Sequence, residues 1–170
     1  QEIAGFDSFN SLSGGDCFHC HGGILGTDYS FKNNGLDQNP IDTGRGLVTN
    51  NPLDYYKFKV PSIRNIEFSG PYMHDGRFET IDEVVNFYSL EIHADSPNID
   101  PLIEFAQQGG VQLNPQERIE LKAFLLRSFN WLAQLTLWER MLIKSIAVLK
   151  NNFKVFSFTV KLKWVNLEDN

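Results

Sequence analysis

Cys17, Cys20 and His21 lie in the run "GDCFHCHGG", residues 15 to 23, with two residues between the thiols and an imidazole directly after the second. A C-x-x-C-H of this kind suits covalent haem: one helical turn presents both sulfurs for thioether bonds, and the next residue carries an imidazole under the iron. His19, between the thiols, is a bystander. Three other uses compete: free thiols in a core turn, a redox pair, or half of a zinc site. A redox pair wants a thioredoxin-type strand and helix around it, and neither flank has that pattern. Zinc needs two further thiolates or imidazoles, and outside the motif only His74 and His93 remain. Two cysteines so close together also make no disulfide framework.

A six-coordinate haem iron needs a second axial ligand, and "PYMHDGRFETIDEVVNFYSL", residues 71 to 90, offers Met73, His74 and Tyr88. Met73 is the simplest choice, because His/Met ligation is the usual electron-transfer arrangement and raises the haem potential. The only other methionine is Met141. Tyr88 reads either as an oxygen ligand or as a core tyrosine with its hydroxyl hydrogen-bonded.

The elements that must position these residues are partly legible. In "TIDEVVNFYSL", Thr80 and Glu83 match a capping box, and Ile81, Val84, Val85 and Tyr88 repeat at helical spacing, so a helix with Tyr88 on its buried face is expected. A second helix is expected in "NPQERIELKAFLLRSF", capped by Asn114, with Pro115 at its first position and Ile119, Leu121, Phe124 and Leu125 as apolar positions. Residues 22 to 64, dense in Gly, Asn, Asp and Pro, predict turns and loops with one short helix. Long loops in a compact domain usually wrap around something.

At this point the chain resembles the C-terminal haem domain of the bacterial di-haem cytochrome c peroxidase family. The resemblance rests on "GDCFHCHGG", "FKNNGLD", "GRGLVTNNPLDYYKFKVPSIRNIEFSGPYMHDGRFETIDEVVNFY", "SPNIDPLI" and "ERIELKAFL", and covers about residues 6 to 127. It implies a mainly α, cytochrome c-like domain of helices and long loops around one covalent haem c. It also implies that the N-terminal domain, with its peroxide-reacting haem, is absent, since no second C-x-x-C-H occurs. This domain would then take electrons from a small redox donor protein and pass them to that second haem, where hydrogen peroxide is reduced. With both axial positions filled, the isolated chain is expected to turn over peroxide poorly.

The resemblance also bears on the second ligand. In the peroxidases of this family the ligating methionine lies fourteen residues beyond the histidine of the Pro-Tyr-x-His segment. That register falls here on Tyr88. Tyrosine at this place is similar to the MauG-type branch, whose haem is ligated by His and Tyr, so His21 and Tyr88 become the expected axial pair, with Met73 the alternative. The family's calcium ion is held partly by backbone carbonyls to which Ser69 and Pro71 correspond. Its remaining protein ligand belongs to the absent half, which leaves that site incomplete. The resemblance places the turn bearing His74 and Asp75 at the domain interface, with an electron route and an interface hydrogen bond as equal readings of His74. Arg45, Lys59 and Arg64 are candidate partners of haem propionates, Arg64 the foremost. His93, in a polar run, reads as a surface histidine.

The composition changes near Arg127. All 13 glycines, 7 prolines, 2 cysteines and 4 histidines lie at or before Pro115, and all 3 tryptophans follow residue 127. Nine basic against eighteen acidic residues up to Arg127 give way to six against three afterwards. Residues 1 to 127 are therefore read as the haem domain and 128 to 170 as an atypical tail, either a lineage-specific extension or a frame-slipped end. Within the tail, residues 131 to 149 have a helical flavour and "VFSFTVKLKWV" has strand alternation. The net charge of −6 gives no footprint for nucleic acid, and no apolar run is long enough to span a bilayer. The first residues carry no secretory signal pattern, so the chain is read as having lost one or as an internal piece; the family implies the bacterial periplasm. The rival reading is a stand-alone mono-haem electron carrier.

Overall fold

The computed structural model describes residues 1–128, so the helical and strand expectations for the tail lie outside the described residues. Five helices carry the architecture: α1 Glu2–Asn10, α2 Phe18–His21, α3 Gly46–Thr49, α4 Ile81–Leu90 and α5 Pro115–Ser128. Among the described residues, sheet is confined to a ribbon of two short antiparallel strands, β1 Phe31–Lys32 and β2 Phe58–Lys59, with Phe31 opposite Lys59 and Lys32 opposite Phe58. The mainly α expectation holds for these residues, and the segment from 22 to 64 contributes only α3, this ribbon and a 3-10 turn at Pro52–Asp54.

Helix α4 begins where its sequence says it should. Thr80 Oγ1 accepts from the Glu83 backbone N–H at 3.3 Å, and the Glu83 carboxylate accepts from the Thr80 N–H at 2.7 Å. This reciprocal box satisfies two amides that a helix start leaves open and stabilises the helix by about 1 kcal/mol. At the other end the 109–112 segment closes the helix: the N–H groups of Val111 and Gln112 donate to the carbonyls of Tyr88 and Ser89 at 3.1 and 2.9 Å. Gly110 makes this approach possible, since a Cβ there would lie 2.5 Å from the Tyr88 and Ser89 carbonyls. Helix α5 is capped reciprocally too: Asn114 Oδ1 accepts from the Gln116 and Glu117 amides, and Glu117 accepts from the Asn114 N–H.

Two apolar clusters form the core, and α4 belongs to both. Ile81 and Val85 pack with Phe9, Ile63, Leu121 and Phe124, a cluster against which Cys17 and Phe18 also lie. Phe87 packs with Leu36 and Ile92 in the second cluster, joined there by Tyr88 and Met73. Tyr88 packs against this cluster half-buried, as its place on the helix predicts, while its neighbour Phe87 (2% exposed) takes the interior position. The structure corrects one sequence expectation here. Ile119 is exposed at 51%, since it lies about 200° around the helix from buried Leu121.

Helix α1 was not foreseen. Its crossing with α5 rests on Gly5, where a Cβ would sit 2.0 Å from the Glu120 carbonyl oxygen. Phe6 and Phe9 flank that contact and pack on Phe124 with ring centroids 5.5 and 5.2 Å away. Helix α5 in turn presents Leu121 to the loop before Cys17, so the crossing backs the C-x-x-C-H segment.

Candidate haem-binding site

The thiols open the short helix α2 and face inward. Cys17 donates weakly to the Gly15 carbonyl at 3.3 Å, and neither cysteine forms a disulfide. Burial pushes the Cys17 thiol up to about 12, helped by the Asp16 charge, and pushes Cys20 up to about 11. Such sulfurs are held as neutral thiols among apolar groups, the environment in which a covalently bound apolar macrocycle would lie. His19 is turned to Asp16, Nδ1 to Oδ1 2.8 Å.

His21 is oriented by backbone carbonyls. Its Nδ1 stands 3.1 Å from the Gly26 carbonyl, and the Pro61 carbonyl is a second acceptor for the ring. Burial lowers its pKa, outweighing the opposite pull of these carbonyls, so the ring is neutral at neutral pH. With Nδ1–H donated to the Gly26 carbonyl, the lone pair of the neutral ring is on Nε2. An imidazole held by its other nitrogen is the usual form of a metal-ligating histidine.

Tyr88 and Met73 approach from the second cluster and meet at one residue that the sequence did not single out. The Asn34 amide donates to the Tyr88 hydroxyl oxygen at 3.0 Å and lies 3.7 Å from Met73 Sδ. Burial pushes the Tyr88 hydroxyl up to about 12, the Asn34 hydrogen bond works against this, and the charges of Cys20 and Cys17 are near enough to raise it further. Tyr88 is thus brought within electrostatic reach of both motif thiols. Met73 is held at φ +71 in a turn closed by Tyr72 N–H to the Phe78 carbonyl at 2.7 Å.

A second set of residues outside the sequence expectations fixes that turn. Arg77 forks onto Asp37 at 2.8 and 2.9 Å and also reaches Asp75 at 2.6 Å. The clamp ties the Met73 turn to the loop that carries Asn34. Arg77 and Asp37 are forty residues apart in the chain, so no local pattern joins them.

The remaining candidates are dispersed. Arg64 is exposed and its guanidinium has no partner among the described residues, which leaves it available to a carboxylate. Arg45 is engaged with Asp54 at 3.2 Å and lies over the Phe31 ring, and Lys59 lies over Tyr29. His74 is exposed and stacks on Phe58, centroids 3.6 Å apart and nearly parallel. His93 is exposed, as its polar setting suggests. Ser69 and Pro71 are both exposed. Among the described residues no three His, Cys, Asp or Glu side chains converge as a metal-ion site. The donors present are two thiols and an imidazole on one segment, and a phenol and a thioether that meet at Asn34 on another; in kind, this set fits a c-type haem.

No protein-family model matches the chain. Among curated proteins it is 30% identical over 117 residues to the cytochrome-c peroxidase IdrP2 of Denitromonas iodatirespirans, covering 52% of this chain and 31% of that protein. It is 34% identical over 87 residues to the methylamine utilization protein MauG of Methylophilus methylotrophus, covering 51% of this chain and 26% of that protein. The chain thus spans about a third or less of the length of these relatives. Among solved structures it superposes on a MauG-like protein associated with microbial copper homeostasis with TM-score 0.64 and 30% identity, over 76% of this chain and 43% of that one. The diheme peroxidase BthA from Burkholderia thailandensis shares the fold at TM-score 0.57 and 18% identity, over 76% of this chain and 42% of that one. No helix among the described residues is long and apolar enough to cross a membrane.

Proposed function

The chain belongs to the family of bacterial di-haem cytochrome c peroxidases and MauG, and from that premise we propose that it forms the electron-transferring C-terminal haem domain of such a protein. The observation that carries this reading is the pair of candidate ligands, Tyr88 and Met73, gathered at the Asn34 amide, in a chain whose Cys17, Cys20 and His21 form the haem-attachment motif. Cys17 and Cys20 would anchor one haem c, and His21 through Nε2 and Tyr88 would hold its iron, with Met73 the packed neighbour of Tyr88. When bound, the haem supplies a one-electron couple. Arg64 is the proposed partner of a propionate, and the exposed His74–Phe58 stack the proposed exit for electrons toward a second haem. Ser69 and Pro71 would supply backbone carbonyls to a calcium ion completed by the other domain. The haem domain ends near Arg127, followed by the tail.

In the whole protein, two electrons and two protons would reduce hydrogen peroxide to water at the other haem, in the bacterial periplasm, with a small redox protein as donor. The phenol at position 88 favours the MauG branch, because phenolate oxygen stabilises ferric iron. The test is the ferric spectrum of the haem-loaded chain. Tyr88→Phe is expected to remove the oxygen-ligand signature and Met73→Leu to leave it in place. A thioether-to-iron band that survives Tyr88→Phe and disappears in Met73→Leu would overturn the Tyr88 assignment.

A further inference from the structure

We propose that Asn34 is the positioning residue that selects Tyr88 over Met73 as the iron's second ligand, through one amide that touches both donors. This rests on the haem-domain reading above. The geometry is specific: Asn34 Nδ2 lies 3.0 Å from the Tyr88 oxygen and 3.7 Å from Met73 Sδ, so both candidate ligands sit around a single donor group.

Asn34 is itself held from both sides. The buried Asn33 amide donates to Ser96 Oγ at 2.9 Å and to the Pro97 carbonyl at 2.8 Å, and its Oδ1 accepts the Gly35 N–H at 2.9 Å. The main chain is pinned as well: Asp100 N–H donates to the Asn33 carbonyl at 3.0 Å and His93 N–H to the Gly35 carbonyl at 2.9 Å. Two residues further on, Asp37 is forked by Arg77, which fixes this loop against the Met73 turn. The donor is therefore preorganised and does not have to be ordered when a ligand binds.

The selection follows from the two acceptors. A ligating phenolate keeps lone pairs and negative charge that a fixed N–H can stabilise, and charge-assisted bonds of this kind are about twice as strong as neutral ones. A thioether sulfur is a weak, uncharged acceptor and gains little from the same amide. One donor shared between them thus favours oxygen ligation. Without it, Met73, already in the same cluster, is the neutral alternative.

The experiment uses the haem-loaded full chain, with near-infrared magnetic circular dichroism of the ferric form and the reduction potential as readouts. The variants are Asn34→Leu, which removes the donor, Asn34→Asp, which keeps the size but presents an acceptor, and Asn34→Gln, which keeps an amide. The expected result is that Leu and Asp gain a thioether-to-iron band and a raised potential, that Met73→Leu abolishes the gain, and that Gln restores part of the parent spectrum. An unaltered oxygen-ligand spectrum and potential in both Leu and Asp variants would overturn the proposal while leaving Tyr88 ligation standing. A parent spectrum unaffected by Tyr88→Phe would instead remove the ligation reading, and this proposal with it. Should Asn34→Leu fail to take up haem, the Asn34→Asp variant decides alone.

Discussion

Gly5→Ala tests whether the crossing of α1 and α5 supports the site as described. An added Cβ would lie 2.0 Å from the Glu120 carbonyl oxygen, 2.6 Å from its carbon and 2.7 Å from Phe124 Cβ. Two of these three obstacles are backbone atoms and cannot rotate away, so α1 must back off by roughly 1.5 Å to restore ordinary contact. A gap of only about 0.5–1 Å already forfeits a quarter to a half of the dispersion, so this displacement forfeits at least that along the seam, which here is formed by Phe9 and Phe124, 4% and 6% exposed. Overpacking of this kind costs about 1–3 kcal/mol, and the upper end applies because the obstacle is rigid. Alanine returns about 1 kcal/mol of helix propensity, leaving a net loss near 2 kcal/mol.

Urea unfolding followed by far-ultraviolet circular dichroism reads this directly. With a slope of about 2 kcal/mol per molar urea, the midpoint is expected to fall by about 1 M. The exposed Asp7→Ala substitution on the same helix controls for propensity alone and should shift stability by less than about 0.5 kcal/mol. A Gly5→Ala midpoint equal to or above the parent's would refute the reasoning, since helix propensity would then outweigh a clash that the geometry says is there.

Two further outcomes follow from titratable groups. The Arg77 hydrogen bond holds the Asp75 carboxyl below the usual carboxylate range, so the clamp contributes stability above the ordinary carboxylate pKa and loses it as the pH falls through the depressed value; Asp75→Asn should therefore be less stable than the parent at neutral pH and converge with it in acid, whereas a gap independent of pH would contradict the clamp. In the folded, haem-free chain the Cys17 and Cys20 thiols, raised from 9.0 to about 12 and about 11, should hold roughly a thousandfold and a hundredfold less thiolate at neutral pH than unshifted ones; single Cys→Ser variants should show Cys17 reacting more slowly than Cys20 with an aromatic disulfide reagent, and equal fast rates for both would contradict the burial.

What was legible in the sequence was local, and what was not depended on contacts distant in the chain. The C-x-x-C-H, the Thr80–Glu83 box and the Asn114 cap each declare themselves within a few residues, because the chemistry or the orphan amides they serve lie one turn away. Helix α1 has no cap side chain and little periodicity, and it gains its partner only when Gly5 meets α5. Periodicity likewise assumes one buried face per helix. Helix α4 is buried by two clusters, so Phe87 is interior although the i, i+3, i+4, i+7 pattern omits it.

The same distinction explains why two ligand candidates could be ranked from sequence but the residue between them could not be seen. Met73 and Tyr88 are recognised by side-chain type, whereas Asn34 stands in an Asn- and Gly-rich run that reads only as a turn. Its turn neighbours confirm the reading and still miss the point: Asn33 does the holding, through Ser96 and Pro97, while Asn34 is left with its amide turned inward. An amide in a polar loop normally spends its donors on water or its own backbone. One that instead donates to a phenol oxygen, with a thioether at its other side, has been spared those local bonds by its neighbour. Under the proposed ligation, the choice of second ligand would depend on three segments, the Asn34 loop, the Met73 turn and α4, and a substitution in any one of them should be read for its effect on the other two.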